Sequence, residues 1–237
     1  MIKEKRKMDF REMAQEMILC ALNCGLSSSS GVMYKKAVKR ELIGQYAETF
    51  WLNGEEKKFY GTFNKKEAAA HPWDVILVST KFDVSKPYYE HIEPISYTYS
   101  NLCSLKSLCI QKVKDCMRYC KIAGITKEQS AFLDKKGMGR FSKKDEEVLD
   151  RWRGTIGNGN YNEAIGSMKD SGGNWLRTQE NGTAYARLAH LAAHGVEFVW
   201  DADPKPYCGK PQEEIIKDYL ENANYKYKFN STTRKWI

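Results

Sequence analysis

Thr49-Phe50-Trp51-Leu52-Asn53-Gly54-Glu55-Glu56-Lys57-Lys58-Phe59-Tyr60-Gly61-Thr62-Phe63 is the stretch that decides the fold class. Asn-Gly supplies the positive φ angles of a tight two-residue turn, so residues 49–63 read as a β-hairpin. Helical patterns surround it. Upstream, Asp9 and Glu12 form a capping box and Gly25 a stop for a helix over residues 9–24. Phe10, Met13, Met17, Cys20 and Cys24 recur there at spacings of three and four, predicting one buried stripe. A second helix is expected over residues 34–46.

Downstream, residues 74–80 with Val75-Ile76-Leu77-Val78 inside predict a buried strand, and the Pro- and Tyr-rich residues 84–98 an extended segment. A helix over residues 100–122 is then stopped by Gly124. Two short helices follow at 126–136 and 142–152, the second capped by Ser142 with Asp145 at the capping-box position. Residues 154–173 hold Gly154, Gly157, Gly159, Gly166, Gly172 and Gly173, which predicts a flexible joint between regions 1–153 and 174–237. The latter region reads as helix 183–194, strand 196–200, helix 212–222 and a terminal hairpin 225–237. Runs of helices with separated hairpins predict an α+β fold, not a doubly wound parallel sheet.

A chain of 237 residues, 42% apolar, can bury a core without a disulfide or metal staple. No run of about 18 apolar residues occurs, so no membrane span is expected. The basic start, Met1 to Lys7, leads into a charged helix and not an apolar signal core, predicting a cytoplasmic protein. The sequons Asn181-Gly182-Thr183 and Asn230-Ser231-Thr232 then carry no glycosylation meaning. Seven cysteines without framework spacing predict free thiols. The net charge of +8 favours a polyanionic or acidic partner, nucleic acid being the commonest kind.

Several motifs offer chemistry, each with a plainer alternative. Cys103, Cys109, Cys116 and Cys120 could ligate zinc or an iron–sulfur cluster, but no Cys-x-x-Cys knuckle is present and the last three share a helix face with Val113, which predicts core. His190 and His194 stand four apart on a helix, pointing the same way, with Asp201 and Asp203 after the next strand. Those four side chains could hold a divalent metal and activate water for phosphodiester cleavage. The plainer expectation makes the histidines, with Arg187, a solvated helix face. Gly154-Thr155-Ile156-Gly157-Asn158-Gly159 lacks the Lys-Ser/Thr of a P-loop, and the Ser27–Gly31 loop offers only amides and hydroxyls to a phosphate. Residues 126–152 imitate a helix-turn-helix, yet Asp145, Glu146, Glu147 and Asp150 suit a phosphate-lined groove poorly.

In Tyr225-Lys226-Tyr227-Lys228-Phe229 the period-two alternation puts three aromatics on one face and two lysines on the other. Thr233-Arg234-Lys235-Trp236 adds further cations across the turn. Aromatics within a basic surface suit stacking on unpaired bases, while packing on Ile215, Ile216, Tyr219 and Leu220 is the plainer fate of the aromatic face. Together with Glu213-Glu214-Ile215-Ile216-Lys217, this end of the chain (residues 212–237) resembles a small helix-plus-hairpin module of phage and plasmid proteins, some associated with anti-restriction. The resemblance implies a mobile-element setting. The leading expectation is a non-enzymatic protein that binds nucleic acid or a nucleoprotein, such as an anti-CRISPR-like inhibitor of a host defence nuclease. Its contacts would be Lys35, Lys36, Lys39, Arg40, Lys226, Lys228, Arg234 and Lys235, with no cofactor. A metal-dependent nuclease using His190, His194, Asp201 and Asp203, and a protein–protein adaptor, are the alternatives.

Overall fold

Asp9 starts the first helix as its position requires: its Oδ1 accepts the Glu12 amide at 2.9 Å, and α1 runs Phe10–Asn23. The computed structural model describes residues 9–24, 32–52, 55–59, 76–134, 138–200, 210–223, 225–227, 229–230 and 235–236. The buried side of α1 is Ala14, Gln15, Ile18 and Leu22. Of the expected stripe, Phe10 is half-buried, Met13 and Met17 are 40% and 48% exposed, and Cys20 and Cys24 are exposed. Both sides of α1 carry apolar residues at helical spacing, so periodicity could not choose between them. The side with Ile18 and Leu22 turns inward, where Gln15 Nε2 donates to Tyr46 Oη at 3.0 Å.

Helix α2 (Val32–Ala37) continues through a π-helical segment, Val38–Gly44, into α3 (Gln45–Glu48). Strands β1 (Thr49–Leu52) and β2 (Glu55–Lys58) then pair antiparallel with Leu52 opposite Glu55, the hairpin pairing that the sequence predicts; the expected turn residues Asn53 and Gly54 lie outside the described residues. Phe50 and Phe59 stack beneath this hairpin at 4.4 Å and are fully buried. The expected continuation over residues 60–63 lies outside the described residues.

A second, mixed sheet has the order β4-β5-β3-β6, built from β3 (Leu77–Ser79), β4 (Tyr88–His91), β5 (Ile122–Ile125) and β6 (Phe198–Val199). Its central strand corrects the expected helix over 100–122. That stretch holds α4 (Ile95–Cys103), α5 (Ile110–Met117) and then β5, parallel to β3 and antiparallel to β4. Gly124 is no helix stop. A Cβ at this position would meet Phe82 Cε2 at 2.7 Å and Val78 Cγ1 at 2.9 Å, so only glycine lets β5 lie under these side chains. The helix over residues 95–103 likewise begins within a segment expected to be extended, directly after Pro94.

Helix α6 (Lys127–Asp134) precedes α7 (Lys143–Met168), which opens on the predicted Ser142–Asp145 capping box. Much of the glycine-rich stretch is therefore helix: α7 is interrupted only at Gly157, whose φ of 82° an L side chain rarely adopts. Helix α8 (Ala184–Ala193) is buried from Ala184 to Leu191 on every side. Helix α9 (Gln212–Asn222) buries Ile215, Ile216, Tyr219 and Leu220. The chain ends in β7 (Lys226–Tyr227), which joins β1 in parallel, and in β8 (Phe229–Asn230) with β9 (Lys235–Trp236), the expected antiparallel hairpin. Lys121, just before β5, is buried and donates to the carbonyls of Tyr219 and Leu220 at 2.9 and 2.7 Å, satisfying the last turn of α9. Burial pushes its ammonium down to about 7, with Arg11 adding to the shift. The fold is α+β, with one continuous cluster of buried residues from Ala14 to Tyr225.

Candidate functional site

Two groups of ionisable side chains stand out, and they differ in their access to water. The first lies on α2 and the π-helical segment. Lys35, Lys36 and Arg40 are exposed and Lys39 is half-buried. Helical spacing sets Lys35 beside Lys39 and Lys36 beside Arg40. Lys35 Nζ and Lys39 Nζ stand 6.0 and 5.2 Å from the centroid of the Tyr99 ring on α4, within reach of its π face. Burial lowers the Lys39 ammonium from its ordinary value and the Lys35 charge lowers it further, against the opposing pull of Cys103 and Glu180. Two ammoniums thus crowd one ring, an arrangement that an anion placed between them would relieve. Arg40 has only a loose, solvent-exposed approach to Glu41, at 3.9 Å. Of the other expected cations, Lys226 and Lys235 lie in β7 and β9, while Lys228 and Arg234 lie outside the described residues.

The second group overturns the solvated helix face expected at His190. Its ring is fully buried, and Arg187 is buried too, ion-paired with Glu90 at 3.1 Å. His190 Nδ1 lies 3.1 Å from Asp145 Oδ2, with both side chains sealed from solvent. His190 Nε2 is 3.1 Å from the Phe132 carbonyl, and His194 Nδ1 is 2.9 Å from the His190 carbonyl. A carbonyl only accepts, so each of these ring nitrogens carries its hydrogen and donates it. The two imidazole centroids are 4.5 Å apart. Phe132 stacks on His194 at 4.7 Å, and Phe141 meets His190 edge-on at 5.7 Å.

Asp145 Oδ2 also accepts the Ser142 amide at 2.6 Å, so the residue read from sequence as a helix cap doubles as the carboxylate facing His190. No local signal distinguishes the two roles. Asp201 and Asp203, the carboxylates expected beside the histidines, lie outside the described residues. Among the described residues, Asp145, His190 and His194 are the one group of three His, Cys, Asp or Glu side chains with ligand atoms gathered within 4.8 Å of one another. The cysteines form no such group there. Cys103 and Cys109 are exposed, Cys116 is half-buried and only Cys120 is core, so the expected cysteine face is largely undone by the turn between α4 and α5.

A polar cleft of about 450 Å³, lined among others by Glu93, Tyr97, Cys116, Arg118, Tyr119 and Glu163, is a feature that sequence reading did not find. Glu93 is buried at its edge, and burial raises its carboxyl to about 7 against the Ala184 amide, which donates to it at 3.1 Å. The Ala184 amide lies 91 residues away in the chain, so no motif announces the pairing. Among the described residues no helix is long and apolar enough to cross a membrane. No family model matches the chain, and no curated protein or solved structure matches it.

Proposed function

We propose that this protein binds nucleic acid, or a protein surface that itself receives nucleic acid, through the cationic face of α2 and the π-helical segment. The observation that carries the reading is the paired placement of Lys35 and Lys39 over Tyr99, with Lys36 and Arg40 also in water. Crowded, accessible ammoniums are suited to phosphate, whose binding releases condensed counterions. The net charge of +8 adds a long-range attraction to polyanions. A π-helical segment is itself an uncommon element that is frequently placed at functional sites. The resemblance of residues 212–237 to a phage and plasmid module supports a mobile-element setting. In that setting the finer reading is an anti-CRISPR-like inhibitor that occupies the nucleic-acid path of a host defence nuclease without catalysis of its own.

The test is binding of the purified protein to labelled single-stranded DNA, duplex DNA and RNA across a salt series, in EDTA and again with Mn²⁺. The expected result is a mobility shift that weakens steeply with salt and leaves the strand intact. The slope of log affinity against log salt should flatten by roughly one for each phosphate-contacting lysine removed. A salt-insensitive shift, or no binding to any of the three, overturns direct nucleic-acid binding and turns the search to an acidic protein surface. Mn²⁺-dependent cleavage overturns the non-catalytic reading.

A further inference from the structure

We infer that Asp145, His190 and His194 bind a divalent first-row transition metal ion, zinc foremost, at the seam between the start of α7 and the end of α8. This inference is independent of the basic face and stands on three observations. The donors converge: a carboxylate from the start of α7 and two imidazoles from the end of α8 have ligand atoms within 4.8 Å of one another. Each imidazole also gives its other ring N–H to a backbone carbonyl, His190 to Phe132 and His194 to His190. That outer bond is the one metal-ligating histidines usually make, because it fixes the tautomer and turns the bare nitrogen to the ion.

The third observation is what the buried atoms lack. His190 Nδ1 and Asp145 Oδ1 have no hydrogen-bond partner, although both side chains are sealed from water. Nδ1 does approach Asp145 Oδ2 at 3.1 Å, but the approach is not aligned as a hydrogen bond. With Nε2 donating to Phe132, Nδ1 and the carboxylate face each other in a dry site with no aligned hydrogen bond between them. A cation between them would give both atoms a partner, as two coordinate bonds. A tetrahedral ion with bonds of about 2.0–2.1 Å sets its donors about 3.3 Å apart, close to the spacing already present between Asp145 and His190.

The donor chemistry narrows the ion. Two imidazoles and a carboxylate suit zinc, iron(II) or manganese(II), and the absence of thiolate from the set disfavours copper(I). Three protein donors leave one position for water on the side of His194, the most open of the three. Phe132 and Phe141 wall the rings, so a polymeric substrate has no route to Asp145 or His190, which are both fully buried. The ion would clamp α7 to α8, with α6 tied in through the Phe132 carbonyl.

The experiment is titration of the EDTA-stripped full-length protein with Co²⁺, followed by displacement with Zn²⁺, read by visible d–d absorption and by thermal midpoint. The wild type should take up one equivalent of Co²⁺, lose the band on adding Zn²⁺, and melt higher with either ion. His194→Ala removes a donor on the open side, and its metal-free midpoint should stay near that of the wild type. Its Co²⁺ affinity should fall by roughly 100-fold or more, since even outer-shell changes at metal sites cost 10–100-fold. Asp145→Asn, which keeps an oxygen for the Ser142 amide, should lose the band as well and serves if the first variant does not fold. A wild type with neither band nor metal-linked rise in melting overturns the site. So does a band that survives both substitutions unchanged. Nucleic-acid binding in EDTA is unaffected by either outcome, so failure here leaves the proposed function standing, and the converse holds.

Discussion

Lys35 on α2 with Lys39 on the π-helical segment, and His190 on α8 with His194 at its C-cap, are both pairs of ionisable residues four apart, yet one pair stands in or near water and the other lies in or against the core. Spacing aligns side chains but says nothing about what covers them. The difference lies in the neighbours. Helix α8 is built on Ala184, Ala186, Ala189, Ala192 and Ala193, whose small side chains let other elements approach all round, so its polar residues are enclosed. Helix α2 carries charged residues between its apolar ones and is open to solvent at Lys35, Lys36 and Ala37. The enclosed ions must find partners inside the protein, as Arg187 does in Glu90. The open ones are left for something outside.

The comparison breaks first at Asp145. Asp145→Ala takes from the start of α7 the carboxylate that accepts the Ser142 amide and leaves a void beside the buried His190, and the loss should be about 1–3 kcal/mol in urea unfolding in EDTA. A loss below about 1 kcal/mol would mean that the seam is held by apolar contact alone. Gly124→Ala supplies a yardstick far from charge: its Cβ would sit 2.7 Å from Phe82, and overpacking should cost about 1–3 kcal/mol at any pH.

Glu93 sharpens the enclosed side through pH. Its carboxyl titrates near 7 in the folded protein, against an ordinary value of 4.5, so between these values the folded state holds the extra proton. Its contribution is therefore complete below pH 4.5 and is lost as pH rises through 7. Glu93→Gln keeps an acceptor for the Ala184 amide and has no charge to bury. It should match the wild type near pH 4.5 and exceed it by roughly 3 kcal/mol at pH 8, read as the difference between two pH–stability curves. A constant difference across that range would contradict the burial account.

The smallest effect on stability belongs to the open side. Lys35→Ala with Lys39→Ala should change unfolding free energy by no more than about 0.5 kcal/mol, since surface charges contribute little. The same double variant should lower the salt slope of nucleic-acid binding by roughly two. A large stability loss would make these lysines structural, and the contrast with α8 would fail.

Much of the secondary structure was legible because its signals are local. Asp9 and the Ser142–Asp145 box each act over a few residues and appear where chemistry requires them, and the two strands flanking Asn53-Gly54 pair as a hairpin. Strand β5 was hidden because Gly124 also reads as a helix terminator. Its strand role follows from Phe82 and Val78, far away in sequence. The inward side of α1 is not legible in the sequence, since apolar residues at helical spacing occur on both sides. At the candidate sites, the α2 cations and the histidine pair were legible by type and spacing, whereas Asp145 and Glu93 were not.

What the sequence by itself determined is the set of local decisions: an α+β composition of elements, where several helices begin, one β-hairpin and a cationic balance. Those follow from backbone preferences and from charges that short stretches carry with them. Tertiary structure alone decided which charges lose their water and which side chains meet. It joined Asp145 to His190 across 45 residues, and Glu93 to the start of α8 across 91. The reason is physical: desolvation and coordination depend on everything within a few ångströms of an atom, and in a folded chain most of that comes from elsewhere in the sequence.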